Sequence, residues 1–228
     1  MKICGLEKSS LVDYDGKIAA VVFTPGCNFS CPFCQNSTLI KDENITLLEE
    51  KEVFDYLLKR KNVIDAVVIS GGEPTLQPDL TQFIKKVKSL NYLVKLDTNG
   101  SNFKLLKNLA ENKLIDYVAM DIKNSLNSYE KTVSAKINID EIKKSVSFLL
   151  TDQIDYEFRT TLVRELHNKK DMVEMANWLT GARRLYLQKF KDSGNCFLKG
   201  LNAVDESTAF QYQKILKSTV QNVYLRGY

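Results

Sequence analysis

The chain has 228 residues, of which 44% are hydrophobic and 26% are charged. These proportions are typical of a globular protein with a packed core and exclude a disordered chain. The net charge of +4 is mild and the lysines are spread along the sequence, so no basic stripe predicts nucleic-acid binding. The longest apolar run, IAAVVF, is far shorter than the roughly 18 residues of a membrane span. With no apolar leader after Met1, the sequence predicts a cytoplasmic protein.

Strand-like apolar runs alternate with amphipathic, helix-like runs along the chain. Most of the apolar runs are continuous, which is typical of strands buried on both faces of a parallel sheet. Six such β–α units are fewer than the eight of a complete TIM barrel. We therefore predict an α/β fold, an incomplete (β/α)6 TIM-like barrel of parallel strands, with a doubly wound sheet as the alternative. The predicted strands are 18–23, 66–70, 92–96, 117–122, 156–163 and 184–190; the predicted helices are 47–61, 79–90, 103–113, 139–150, 171–179 and 205–216; VYLRGY closes the chain.

Glycine-rich and polar residues cluster where the predicted strands end. Ligands bind at the carboxyl ends of the strands in barrels and in open α/β sheets, so we expect these residues to face one pocket. In chain order they are the cysteine loop, GGEP at 71–74, DTNG at 97–100, Asp121 and Lys123 in DIK, Arg159 in EFRTT and Gln188 in YLQKF.

The cysteine loop has the spacing Cys27-x3-Cys31-x2-Cys34. In a reducing compartment, clustered cysteines are metal ligands or catalysts more often than disulfides. Three thiolates can hold a 4Fe–4S cluster and leave one iron open to a small molecule. A zinc site completed by a fourth ligand, and a loop without metal, remain alternatives.

Three further residues are candidates for a fourth zinc ligand: Cys4, Cys196 and His167. We interpret the two cysteines as bystanders and the histidine as a loop or helix-cap residue. The sequence does not assign a role to any of them.

The other polar residues allow structural and functional interpretations. GGEP and DTNG can each be simple turns, although the glycines also let backbone approach a ligand and Glu73 offers an acceptor for a cation. Asp121 and Lys123 can form a surface ion pair. A charged side chain in an apolar strand is costly unless it is paired or functional, so Arg159 is a candidate carboxylate clamp.

The three-cysteine motif, with Phe33 before its last cysteine and GGEP downstream, resembles the radical SAM superfamily. The whole chain, from SSLVDYDGKIAAVVFTPGCNFSCPFCQN to LQKF, is similar to glycyl-radical-enzyme activases, most of all to anaerobic ribonucleoside-triphosphate reductase activating proteins and more distantly to pyruvate formate-lyase activating enzymes. The resemblance implies a single radical SAM domain over 1–228. It also implies a 4Fe–4S cluster on the cysteines and S-adenosylmethionine on the open iron, cleaved reductively to a 5′-deoxyadenosyl radical.

The resemblance also implies roles for individual residues. Phe33 would stack near the adenine and Asn36 would lie close to the cofactor. The methionine amino end would be held by the GGEP residues, and its carboxylate and the ribose would meet three charged side chains. These cofactor-binding residues are Gly71, Gly72, Glu73, Pro74, Asp121, Lys123 and Arg159. The DTNG residues Asp97, Thr98 and Asn99 are further cofactor-binding residues. Asp97, Thr98 and Asp121 match positions that hold a monovalent cation beside the cofactor in the family. Gln188 stands where pyruvate formate-lyase activating enzymes have a histidine near the ribose. This difference weakens an assignment of pyruvate formate-lyase as the protein substrate.

The activity implied is hydrogen abstraction from a glycine of a partner glycyl-radical enzyme, expected to be anaerobic ribonucleotide reductase. An electron donor such as flavodoxin or ferredoxin would reduce the cluster. One alternative is a radical SAM enzyme that acts on a small molecule, as 7-carboxy-7-deazaguanine synthases do. A zinc-stabilised binding module without catalysis is the other.

Overall fold

A computed structural model describes residues 1–41 and 45–228. The strands are β1 (Gly5–Ser10), β2 (Ala19–Thr24), β3 (Ala66–Gly71), β4 (Leu93–Thr98), β5 (Tyr117–Asp121), β6 (Asp155–Leu162), β7 (Arg184–Lys189) and β8 (Asn222–Arg226). The helices are α1 (Thr38–Lys41), α2 (Glu50–Lys59), α3 (Leu80–Ser89), α4 (Phe103–Glu111), α5 (Tyr129–Val133), α6 (Ile139–Leu149), α7 (Lys169–Trp178) and α8 (Glu206–Leu216), and Pro74–Leu76 forms a 3₁₀ turn.

The strands of the described residues form one sheet in the order β1-β2-β3-β4-β5-β6-β7-β8. Each strand from β2 to β8 pairs in parallel with the next, and β1 pairs antiparallel with β2. A strand order that follows the chain without reversal is that of an open, incomplete barrel. The predicted barrel is therefore confirmed, and the doubly wound sheet, which requires a reversal of strand order, is wrong.

The predicted strands and helices match the structure to within about three residues at each end. Helix α2 begins at Glu50 rather than at residue 47, because Glu49 and Glu52 form a capping box there and Leu48 pairs with Ile3 in an isolated β-bridge. The closing run contains β8. Strand β1 was not predicted, because the segment GLEKSS has little apolar character. None of the described helices has the length and apolar character needed to cross a membrane.

The two faces of the sheet have different compositions. The face toward the helices carries the main apolar core. The inner face carries a small cluster that includes Val21, Val68 and Tyr117, and beside it the buried Lys95 and Glu157 lie 3.5 Å apart. Because strand residues alternate between faces, the residues two positions beyond Lys95 and Glu157 also lie on the inner side. These are Asp97, near the carboxyl end of β4, and Arg159, in the middle of β6 and paired with Asp121 at the end of β5.

Candidate functional site

The carboxyl ends of the strands surround a cavity of about 340 Å³. Of the predicted site residues, only Pro74 does not line it; this proline is buried at the start of the 3₁₀ turn. The predicted residues that line it are Cys27, Cys31, Phe33, Cys34, Asn36, Gly71, Gly72, Glu73, Asp97, Thr98, Asn99, Asp121, Lys123, Arg159 and Gln188. The structure thus brings together residues that are far apart in the sequence.

The cysteine loop and the GGEP loop approach each other backbone to backbone. Gly72 N donates to Thr24 O at 2.9 Å and Glu73 N donates to Gly26 O at 2.8 Å. A β-carbon on Gly72 would lie 1.9 Å from Gly26 O, and one on Gly71 would lie 2.4 Å from Thr24 O. Both positions therefore require glycine for packing between the loops.

The three cysteines of the motif are free, and Cys31 is buried. Burial raises the pKa of the Cys27 thiol to about 11 and that of Cys31 to about 12, while nearby Lys123 acts in the opposite direction. Burial also raises the pKa of Cys34. The thiols stay protonated at neutral pH until a cationic group displaces the protons, as metal binding does.

In the part of the chain that the structure describes, no three His, Cys, Asp or Glu side chains converge on a position for a single metal ion. A mononuclear zinc site requires ligands that converge on one point. A 4Fe–4S cluster distributes its thiolates over separate irons, so it does not require that convergence.

Glu73 is fully buried and its carboxylate has four hydrogen-bond donors. Oε1 accepts from Thr75 N at 3.1 Å, Thr75 Oγ1 at 2.5 Å and Thr98 Oγ1 at 2.7 Å, and Oε2 accepts from Asn99 N at 2.7 Å. Burial raises the pKa of Glu73, although these bonds oppose the shift. A carboxylate oxygen has about two acceptor positions, so Oε1 is fully used, whereas Oε2 has one donor. Glu73 is therefore occupied in joining the GGEP loop to the end of β4.

A charged network crosses β4, β5 and β6 at the cavity. Arg159 Nε lies 2.9 Å from Asp121 Oδ1, and Arg159 Nη1 lies 3.2 Å from Asp97 Oδ2. Lys123 Nζ lies 3.0 Å from Asp121 Oδ2. Burial alone would raise the pKa of Asp121, but Arg159 and Lys123 outweigh it and hold that pKa at about 2. The Asp121 carboxylate likewise raises the pKa of both cationic groups against the effect of burial.

One acceptor in this network has no partner. Asp97 Oδ2 accepts from Ser70 Oγ at 3.0 Å as well as from Arg159, whereas the buried Oδ1 has no hydrogen bond among the described residues. A buried polar atom without a partner costs free energy. Since Asp97 lines the cavity, a bound ligand is the natural source of the missing donor.

Amide side chains connect the cysteine loop to its surroundings. Asn36 Nδ2 donates to Gly71 O at 3.0 Å. Asn99 Nδ2 lies 2.9 Å from Asn28 Oδ1 and 3.9 Å from Cys27 Sγ. Both predicted residues therefore position the loop that carries the cysteines.

The cavity is also lined by residues that the sequence does not predict as site residues. Thr161 lies two positions after Arg159 in β6, and Ser70 lies two positions before Gly72, which directly follows β3. Alternation along a strand was therefore a signal that could have found both. The remaining lining residues gave no such signal. They are Asp13, Phe23, Phe29, Gln35 and Ile40.

Cys4, Cys196 and His167 do not line the cavity. Cys4 Sγ donates to Phe23 O at 3.3 Å. His167 is buried, with Nε2 2.9 Å from Lys123 O and Nδ1 3.1 Å from Val163 N. These partners fit a neutral ring that donates from Nε2 and accepts at Nδ1. Burial lowers the pKa of His167, which favours the neutral ring. The two ring nitrogens connect the backbone at Val163 with the backbone at Lys123.

Comparisons with known proteins agree with this arrangement. The family model of the radical SAM superfamily matches residues 21–179. A Methanocaldococcus jannaschii protein provisionally named a glycyl-radical enzyme activating enzyme is 33% identical, over 98% of this chain and 95% of the relative. The pyruvate formate-lyase-activating enzyme of Listeria monocytogenes is 32% identical over 54% of this chain and 53% of the relative.

Among solved structures, Streptococcus suis SuiB bound to S-adenosylmethionine superposes with a TM-score of 0.69 over 91% of this chain and 52% of SuiB. The sequence identity is 16%, so this likeness concerns the fold alone. The alignments with SuiB and with the Listeria enzyme each span about half of those proteins.

Proposed function

This chain belongs to the radical SAM superfamily, and we propose that it activates a glycyl-radical enzyme by abstracting a hydrogen atom from a glycine of that partner. The single observation that carries the proposal is the convergence of the three cysteines, the glycine cradle and the charged network on one cavity. The relative that matches 98% of the chain supports the activase assignment.

Cys27, Cys31 and Cys34 would hold a 4Fe–4S cluster as thiolates, leaving one iron for S-adenosylmethionine. When bound, such a cluster would supply the electron for reductive cleavage of S-adenosylmethionine, which would give the hydrogen-abstracting radical. The chain's contribution is to hold the thiols in a buried cavity and to position the cofactor against the substrate. Lys123 lowers the pKa of the thiols, so it favours the thiolates that the cluster requires.

S-adenosylmethionine would contact the remaining lining residues. Phe33 would face the adenine, Gln188 would bond a ribose hydroxyl, and backbone at Gly71 and Gly72 would meet the methionine amino group. Arg159, which uses Nε and Nη1 within the protein, keeps Nη2 for the methionine carboxylate. Glu73 would act from behind, because its carboxylate accepts hydrogen bonds from Thr75, Thr98 and Asn99 of the protein itself.

The partner that we propose is anaerobic ribonucleoside-triphosphate reductase, on the strength of the similarity around the cysteine motif. Glycine suits the substrate position because a loop without a side chain can enter the cavity. A flavodoxin or ferredoxin would supply the electron. We also propose that residues 1–228 act as one domain, since a single sheet extends from β1 to β8.

The first test is low-temperature electron paramagnetic resonance of anaerobically reconstituted, dithionite-reduced protein, with and without S-adenosylmethionine. We expect a reduced 4Fe–4S signal that shifts when the cofactor is added. The second test adds anaerobic ribonucleotide reductase and looks for a glycyl radical. Deuterium on the target glycine should appear in 5′-deoxyadenosine.

The outcomes separate the candidate functions. A cluster signal that ignores S-adenosylmethionine would refute the radical mechanism. Deuterium transfer from a small molecule, with none from the partner glycine, would favour a small-molecule radical SAM enzyme. Colourless protein that contains zinc and no iron would favour a zinc-stabilised module.

A further inference from the structure

Arg159 occupies the space between two carboxylates that belong to neighbouring strands. Asp121 and Arg159 are direct register partners on β5 and β6, and Asp97 lies at the end of β4. The guanidinium contacts Asp121 through Nε at 2.9 Å and Asp97 through Nη1 at 3.2 Å. A planar group with fixed donors suits this bridging position.

The residues expected to hold a monovalent cation beside the cofactor already have partners on most of their side-chain oxygens. Thr98 Oγ1 donates to Glu73 at 2.7 Å and accepts from Gly100 N at 3.1 Å. Both Asp121 oxygens contact cationic groups. Asp97 Oδ1 is the one carboxylate oxygen of this set without a partner among the described residues.

The charges of the four side chains in this ion-pair network also balance. Asp97 and Asp121 carry two negative charges, and Arg159 and Lys123 carry two positive charges. Glu73 lies behind Thr98, and the donors that its carboxylate accepts from are uncharged. A metal ion here would face a guanidinium and an ammonium in a partly buried site, where like charges repel more strongly than in bulk water.

We propose that Arg159 takes the place of a monovalent cation between Asp97 and Asp121, so that this chain binds its cofactor without sodium or potassium. Asp97 Oδ1 then accepts a hydrogen bond from a neutral hydroxyl donor of the ligand. The identity of that ligand as S-adenosylmethionine rests on the proposed function. The pairing of the two carboxylates by Arg159 does not.

The test compares potassium, sodium and tetramethylammonium chloride at one ionic strength. The first readout is the Kd of S-adenosylmethionine for the reconstituted, unreduced protein, and the second is the Tm of the chain without cofactor. For the wild type we expect Kd values that agree within about twofold and no Tm difference among the three salts. A cation bound at about 100 times its dissociation constant would raise the Tm by roughly 5–10 °C.

The variant Arg159→Gln removes the bridging charge and leaves two carboxylates facing each other. We expect it to bind S-adenosylmethionine at least about tenfold more tightly in potassium or sodium than in tetramethylammonium. Arg183→Gln is the matched control, because Arg183 bridges Asp152 at 2.9 Å and Asp155 at 3.3 Å on the surface. It should acquire no salt preference.

A wild-type Kd that improves tenfold or more in potassium or sodium, or a Tm that rises by several degrees, would overturn the inference and leave the proposed function intact. A folded Arg159→Gln without any salt preference would show that Arg159 does not replace a cation. If the wild type binds no S-adenosylmethionine, the proposed function fails and the Tm comparison still decides the inference. That comparison needs no variant, so it holds even where Arg159→Gln does not fold.

Discussion

The close contact between the cysteine loop and the GGEP loop predicts a large effect for Gly72→Ala. The new β-carbon would lie 1.9 Å from Gly26 O, whereas ordinary contact begins at 3.4 Å, so the loops must separate by about 1.5 Å. That movement breaks the bonds from Gly72 N to Thr24 O and from Glu73 N to Gly26 O. Overpacking costs about 1–3 kcal/mol and each backbone hydrogen bond about 0.5–1.5 kcal/mol, so the free energy of unfolding should fall by about 2–6 kcal/mol.

Because Gly26 immediately precedes Cys27, the same movement should displace the cluster ligands. The assay is urea denaturation of the chain without cofactor, together with iron and sulfide content after anaerobic reconstitution. Gly181→Ala is the control, since Gly181 has a φ of +87° and nothing within 4 Å of a new β-carbon. It should lose only about 1–2 kcal/mol, the conformational cost of the left-handed region, and keep its iron.

The reasoning would be refuted by a Gly72→Ala protein that keeps full iron and sulfide and loses less stability than Gly181→Ala. The cysteine loop would then tolerate a wider separation from β3, and the two glycines would not be needed for packing.

Three further changes test other parts of the structure. Cys31→Ala should abolish iron and sulfide incorporation because it removes a proposed ligand, whereas Cys196→Ala should keep both. Burial lowers the pKa of His167 below its ordinary 6.5, so the unfolded state binds the proton more readily than the folded state. The free energy of unfolding of the wild type should therefore fall as the pH drops below 6.5. The slope is at most about 1.4 kcal/mol per pH unit, and it should vanish in His167→Gln. Lys95→Met leaves Glu157 buried without its cationic partner, although the Tyr117 hydroxyl still donates to it at 3.0 Å. The change should cost about 3–5 kcal/mol, most of which Lys95→Met/Glu157→Gln should restore.

Each of these expectations has a contrary result. Loss of iron in Cys196→Ala would show that the ligand set is wrong. Parallel pH profiles for the wild type and His167→Gln in urea denaturation would mean that the histidine is not held neutral by burial. Equal destabilisation in the single and double variants of Lys95 and Glu157 would place the cost in lost packing rather than in an unpaired charge.

Much of the architecture could be predicted from the sequence, because its signals are local. A strand buried on both faces needs a continuous apolar run, so AVVIS and YVAMDI marked β3 and β5 almost to the residue. The cysteine spacing and GGEP also lie within short segments. Strand β1 could not be predicted, because the residues of GLEKSS are half-exposed or exposed except for Ser10 and show no apolar pattern.

The tertiary structure alone decided what the polar residues contact. Arg159 reads as a ligand clamp in the sequence, yet two of its donors bind Asp97 and Asp121, 62 and 38 residues away. Glu73 reads as an open acceptor, yet Thr98 and Asn99 help to fill it. These partnerships depend on the order and register of β3 to β6 in the sheet. The residue type at a position determines the chemistry of its side chain, but the packing of distant segments determines which partner that side chain contacts.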